Sequence, residues 1–237
     1  MTAVHRILVV TAVPAESAAV IGTRRPAAGQ LAGLAGQRCQ TPAGLLDVVC
    51  GGVGAVPAAL STAQLLLQLP GRYDLVIAAG IGGGLGAAEP GSVVVADAVV
   101  HADLGVQTAD GDFSPLSELG WGPVRFEPDR DLAGELAGRA AAPLGTVLTV
   151  STVTGTRARA AALLAAHPNA LAEAMEGAGV CQAAERAGVR FAELRAISNR
   201  VGPRDRDSWQ IEAALTALSR ACEQILAEPL SERGDFG

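Results

Sequence analysis

Three side chains stand where chemistry could be done. Glu16 is an acid just past the apolar run Arg6–Ala12, at the start of a predicted helix. Its plain structural reading is a first-turn acid favoured by the helix dipole. Glu176 lies in Ala174-Met175-Glu176-Gly177-Ala178-Gly179, a nearly uncharged helix start flanked by small residues. An acid there faces packed protein or a ligand, and a buried carboxylate needs partners. A salt bridge would supply one; the two hydroxyl donors of a vicinal diol would match the carboxylate as well. Asn199 closes the run Arg195-Ala-Ile-Ser-Asn199, and a turn asparagine accounts for it equally when it is read alone.

Two glycine-rich stretches accompany them. Gly80-Ile-Gly-Gly-Gly-Leu-Gly86 invites a dinucleotide reading, yet it runs through Glu89-Pro90-Gly91 into another strand, not directly into a helix. Gly52-Val-Gly54 does precede a helix, but Asp74 sits before its strand, where a ribose-binding acid would follow one. Both stretches read better as backbone that approaches a ligand or turns tightly. His5 and His167 look solvated, and His101 beside Asp103 fits a satisfied structural histidine or a site wall. No Ser-His-Asp or Cys-His arrangement follows from spacing. Cys39, Cys50, Cys181 and Cys222 are scattered, with neither a CxxC pair nor zinc-like spacing, so no metal is expected.

Composition narrows the classes. All 18 basic residues of the 237 are arginine, which removes Schiff-base lysines and every P-loop that needs one. A formal net charge of −6 and seven aromatic residues argue against a nucleic-acid binder. No apolar stretch reaches the length of a membrane span and no signal peptide is read at the start, so a cytoplasmic protein with reduced cysteines is expected.

The elements that must position these groups alternate. Apolar strand-like runs cover Arg6–Ala12, Gln37–Thr41, Leu45–Cys50, Leu75–Ala79, Val93–Val100, Gly145–Val153 and Phe191–Ser198. Helical patterns cover Ala15–Ile21, Val56–Leu69, Asp129–Ala142, Arg157–Ala166, Met175–Ala187 and Asp207–Leu226. Residues 22–36 read as a surface connection, and 102–128 as a long binding loop. The pattern predicts a single-domain α/β protein, a three-layer α/β/α sandwich around a mixed, mostly parallel sheet. In such sheets ligands sit beyond the carboxyl ends of strands, which places Ala12–Glu16, Gly80–Gly86, Val150–Gly155 and Ser198–Asp205 at a site.

Taken together, Ala12-Val-Pro-Ala-Glu16, Gly51-Gly-Val-Gly54, Ala79-Gly-Ile-Gly-Gly-Gly-Leu85, Met175-Glu-Gly-Ala-Gly-Val180 and Arg195-Ala-Ile-Ser-Asn199 resemble the purine nucleoside phosphorylase/nucleosidase superfamily. The resemblance spans essentially the whole chain and is nearest to the branch of methylthioadenosine/adenosylhomocysteine nucleosidases and futalosine hydrolases. The tail Ser198–Arg206 looks like the futalosine hydrolases, which serve the futalosine route to menaquinone.

The resemblance implies hydrolysis of an N-glycosidic bond without metal or organic cofactor. It assigns Glu16 to water activation, Glu176 to the ribose hydroxyls and Met175 to the sugar face. Ile81, Gly82 and the backbone of Val153 would line the pocket. Asn199 stands where the adenine-specific nucleosidases carry Asp. A carboxamide can accept from a protonated N7 and donate to a 6-oxo group, which suits hypoxanthine or guanine. The apolar Ile81 and the acid Glu16 oppose a phosphate pocket, so water is the expected nucleophile. Arg204 and Arg206 are candidates for a carboxylate on the 5′ substituent, with Phe113 and Trp209 beside them. Homodimers or higher homo-oligomers are typical of the branch. The rivals are a methylthioadenosine/adenosylhomocysteine nucleosidase, another 6-oxopurine nucleoside hydrolase or phosphorylase, a non-catalytic nucleoside binder and, last, a Rossmann reductase.

Overall fold

The computed structural model describes residues 6–111, 113–203 and 205–231. In chain order the elements are β1 (Arg6–Thr11), α1 (Pro14–Ile21), β2 (Ala27–Leu31), β3 (Leu34–Thr41), β4 (Gly44–Cys50), α2 (Ala55–Gln68), β5 (Leu75–Gly84) and β6 (Val93–His101). Then follow β7 (Gly105–Gln107), β8 (Phe113–Pro115), β9 (Arg125–Phe126), α3 (Arg130–Ala140), β10 (Leu144–Thr149), α4 (Arg157–Ala166), β11 (Ala170–Ala174), α5 (Gly177–Arg186), β12 (Arg190–Arg200) and α6 (Ile211–Ile225).

The central sheet runs β11-β10-β6-β12-β5-β1-β4-β3-β2. β1 lies parallel between β4 and β5, and β12 extends the parallel set beyond β5. β6 is antiparallel to β12 and begins a second parallel set with β10 and β11. β11 then pairs antiparallel with the far end of β5, through Ala172–Gly84 and Glu173–Gly83. The sheet therefore coils until five of its strands close on themselves, and the two opposed sets deliver their carboxyl ends to one cavity.

Period-two alternation explains why β1 is buried on both faces. Ile7 and Val9 join a core with Leu46, Ile77, Leu132 and Leu218 under α1, α3 and α6. Leu8 and Val10 join Val76, Ala78, Ala178 and Val180 under α2 and α5. This is the expected three-layer sandwich. Gly179 lets α5 meet α2 backbone to backbone, since a Cβ there would collide with the carbonyl of Ala55.

Local expectations change at four places. Residues 22–36 contain β2 and the start of β3, an antiparallel hairpin turned through Ala32 and Gly33 at positive φ. Its small residues hide a strand because the edge it forms is largely exposed and needs no apolar run. The glycines after Ala79 extend β5 through Gly84 in place of a tight turn, and Gly82 and Gly83 line the cavity. Ala170–Ala174, where no element is expected, is β11; its alanines carry little strand signal, and pairing with β10 and β5 decides the outcome. In 102–128 the short strands β7, β8 and β9 break up the expected loop.

Candidate active site

The carboxyl ends of β1, β10, β11 and β12 and the glycine stretch of β5 enclose a cavity of about 340 Å³. Glu16, Ile81, Gly82, Val153, Met175, Glu176, Asn199 and Trp209 all line it, so eight residues scattered through the sequence meet in space.

Glu16 is 3% exposed, in the first turn of α1. Its Oε2 accepts from the amides of Ala12 at 2.9 Å and Val13 at 3.2 Å, and its Oε1 from that of Ile81 at 2.8 Å. A carboxylate offers about four acceptor positions, so three backbone donors leave one for an outside hydrogen. Gly80 makes this possible: a Cβ there would lie 2.5 Å from Glu16 Oε1 and 2.8 Å from Arg195 Nη1. The capping reading and the chemical one thus coexist, because the helix start that holds Glu16 also aims it.

Glu176 sits at the N-cap of α5. Its Oε1 accepts from the Gly54 amide at 3.1 Å, a contact that Gly54 reaches at a φ of 100°. Its Oε2 is 3.1 Å from Arg195 Nη1 and accepts from the Met175 amide at 3.3 Å. The salt bridge is present, and Oε1 keeps a free acceptor position toward the cavity.

Spacing did not reveal the buried hub behind these acids. Arg195 is 1% exposed; its Nε donates to Glu193 Oε1 at 2.7 Å. Burial opposes the guanidinium charge, but Glu193, Glu176 and Glu16 outweigh it and hold Arg195 protonated well beyond its usual range. Burial also pushes the Glu193 carboxyl up, against the pull of Arg195. The signal was there: Glu193 and Arg195 are opposite charges at i and i+2 within an apolar strand, hence on one face.

Ser198 and Asn199 lie at a bulge in the pairing of β12 with β5, a device that re-aims side chains. Ser198 Oγ donates to Asn199 Oδ1 at 2.7 Å, and Asn199 Nδ2 donates to the Arg200 carbonyl at 2.9 Å. These contacts orient the amide, with one lone pair and one N–H left over. Across the cavity Glu173, which the sequence reading missed, is 4% exposed and accepts from the Thr154 amide at 2.8 Å. It stands in the uncharged run Leu171–Met175, the same signal that singled out Glu176.

Of the four 5′-side candidates, Trp209 lines the cavity, and Phe113 and Arg206 do not. Phe113 belongs to the β7–β8 hairpin and packs on Gly105, outside the cavity wall. Arg206 lies outside that wall too, its guanidinium 5.9 Å from the Trp209 ring centroid in a cation–π contact. Arg204 lies outside the described residues. Among the described residues no group of three His, Cys, Asp or Glu side chains is placed to hold a metal, and no helix is long and apolar enough to cross a membrane.

Residues 6–230 match the profile of the phosphorylase superfamily. The chain is 54% identical over 183 residues to a futalosine hydrolase of Streptomyces coelicolor, covering 76% of this chain and 77% of that one. It is 47% identical over 219 residues to a futalosine hydrolase of Acidothermus cellulolyticus, covering 90% and 87%. The fold matches the native structure of futalosine hydrolase from Helicobacter pylori with a TM-score of 0.80 over 94% of this chain and 97% of that one, at 18% identity. The chain therefore belongs to the phosphorylase superfamily and, within it, to the futalosine hydrolases.

Proposed function

We propose that the protein hydrolyses the N-glycosidic bond of futalosine, releasing hypoxanthine and dehypoxanthine futalosine. The observation that carries this reading is one cavity holding both Glu16, with a single acceptor position left by its three amides, and an oriented carboxamide, Asn199. Cleavage of such a bond passes through an oxocarbenium-like ribosyl cation. Glu16 takes a proton from water as the water oxygen bonds to the anomeric carbon and the bond to the base breaks. The electron pair of the broken bond leaves on the base, which takes up a proton at N7 from solvent while Glu16 returns its own to solvent; Asn199 Oδ1 accepts from that N7–H while Nδ2 donates to the 6-oxo group. Glu176 accepts from a ribose hydroxyl through its free Oε1 position, and Met175 packs against the sugar. Ile81 puts an apolar side chain where a phosphate would need a donor, and Glu16 would repel the dianion, which favours water as nucleophile.

The same reading assigns the reaction to the futalosine route to menaquinone and the protein to the cytoplasm, where its four free cysteines stay reduced. It also makes the molecule a homodimer: Val53, Val56, Leu60 and Leu67 are each more than half exposed on and beside α2, next to the cavity mouth formed by Val53.

The test is to incubate purified protein with futalosine, inosine or methylthioadenosine, with and without phosphate, and to separate the free bases by chromatography. Hypoxanthine from futalosine at a rate indifferent to phosphate is expected. Adenine from methylthioadenosine as the faster product would overturn the assignment. Asn199→Asp should lose most activity on futalosine, because a carboxylate cannot donate to O6.

A further inference from the structure

The wall of the cavity opposite Asn199 carries acceptors that the protein itself does not satisfy. Glu173 Oε1 is held by the Thr154 amide, but Glu173 Oε2 and Thr154 Oγ1 are buried without a hydrogen-bond partner. A buried polar group left unpaired costs about 1–3 kcal/mol, so its presence in a cavity calls for a reason.

The strand register places these groups. β11 sets Glu173 opposite Gly83, and β12 sets Asn199 opposite the same Gly83. Residues in one cross-strand row project to one face, and both side chains line the cavity. The glycine between them contributes no side chain and is overlain by Val201: a Cβ there would lie 2.7 Å from Val201 Cγ2 and 3.7 Å from Asn199 Nδ2. An acid and an amide thus flank a glycine strand with the Val201 methyl over it, two strand spacings apart, roughly 10 Å. A flat bicyclic base fits such a slot edge to edge.

A carboxylate accepts and does not donate. The pairing edge of a 6-oxopurine offers it one donor, the lactam N1–H; a 6-aminopurine presents a bare N1 lone pair at the same place. We propose that Glu173 Oε2 accepts the N1–H of the base while Asn199 holds the N7 and O6 edge, which makes Glu173 the residue that selects 6-oxo over 6-amino nucleosides. This rests on the proposed hydrolysis of futalosine and adds its specificity determinant. The Thr154 hydroxyl can turn to donate or accept and does not discriminate. Against adenine, the carboxylate opposes lone pair to lone pair, a rejection built into the site by repulsion.

The experiment titrates hypoxanthine, 1-methylhypoxanthine and adenine calorimetrically into the intact protein and into Glu173→Gln. Glutamine keeps an oxygen for the Thr154 amide and replaces the other by an NH₂ donor; its melting temperature checks the fold. The wild type should bind hypoxanthine roughly 10- to 100-fold more tightly than either other base, the span of one hydrogen bond to a charged group. In the variant the preference over adenine should vanish or reverse. Equal wild-type binding of hypoxanthine and 1-methylhypoxanthine, which needs no variant, overturns the role of Glu173. So does an unchanged preference in Glu173→Gln, and in either case wild-type release of hypoxanthine from futalosine leaves the hydrolase reading intact. A wild type that prefers adenine and releases nothing from futalosine overturns both.

Discussion

The two ends of the cavity are built on opposite plans. At one end Glu16 and Glu176 are held by amides of Ala12, Val13, Ile81, Gly54 and Met175 and by the buried Arg195, so little of their acceptor capacity is left open. At the other, Glu173 Oε2 and Thr154 Oγ1 are unpaired on residues that line the cavity, whereas the unpaired atoms of the first end, Glu193 Oε2 and Arg195 Nη2, belong to the hub behind its acids; Arg206, outside the wall, lies over Trp209, which lines it. The difference separates two tasks. Groups that act on the reacting bond must be placed before substrate arrives, because misplacement is costly in rate. Groups that recognise a base or a tail can wait, since an unpaired buried atom is what makes the wrong partner expensive.

The sharpest way to break this contrast is at Glu16. Glu16→Gln removes the base and turns one amide N–H toward a backbone donor. We expect turnover of futalosine to fall by roughly 10³-fold, within the range for loss of a general base, while calorimetric binding of hypoxanthine stays within about tenfold, since one hydrogen bond is the most it stands to lose. A variant that turns over near the wild-type rate would show that the placed acid is only a helix cap.

Arg195 tests whether the fixed end is also a structural keystone. Arg195→Met leaves Glu193 and Glu176 buried without their cation, and breaking a buried pair costs about 3–5 kcal/mol. For a chain of this size that corresponds to a drop in melting temperature of roughly 10 °C. The rise of the Glu193 pKa on burial gives some relief, because a protonated carboxyl tolerates the loss of its partner better. An unchanged melting temperature would mean that the acids need no hub.

At the loose end, Arg206→Ala should raise the Michaelis constant for futalosine by about tenfold, the worth of a charge-assisted contact to a carboxylate, and leave that for inosine unchanged. Because Arg206 must first leave Trp209, equal effects on both nucleosides would show that it only braces the ring.

The same division decides what could be read from the sequence. Glu16, Glu176 and Asn199 announce themselves because an acid or amide interrupts an apolar or glycine-rich run at a strand end. Arg195 hides because it is consumed inside β12, paired with Glu193 two residues back, and a strand buried on both faces is read from its apolar members. Glu173 hides because β11 is a five-residue, alanine-rich strand whose existence depends on β10 and β5. Phe113 was misled by composition: aromatics in a long loop suggest a lid, yet its ring packs on Gly105 within a hairpin. Local spacing shows the groups that chemistry exposes, and long-range pairing supplies those that hold or measure.

His101 offers the smallest effect and touches the boundary between the two ends. It closes β6 with Nε2 3.6 Å from Asp103 Oδ1, and Asp103 in turn accepts from the amides of Ser151 and Thr152 on the way to Val153 and Thr154. Burial lowers the His101 pKa, more than Asp103 raises it. Below an unfolded value of about 6.5, the unfolded chain therefore holds more of this proton than the folded one. The linked stability is complete above that value and is lost as pH falls toward the folded pKa, by at most about 1.4 kcal/mol per pH unit. Glu193, raised by burial, contributes with the opposite sign, so the wild-type curve alone mixes the two. The difference between wild type and His101→Asn in urea unfolding separates them: it should be flat above neutrality and turn against the wild type between pH 7 and 5.5 (about the histidine range). Parallel curves would mean that His101 is neutral or solvated in both states, and that the Asp103 anchor of the base-side wall does not feel pH.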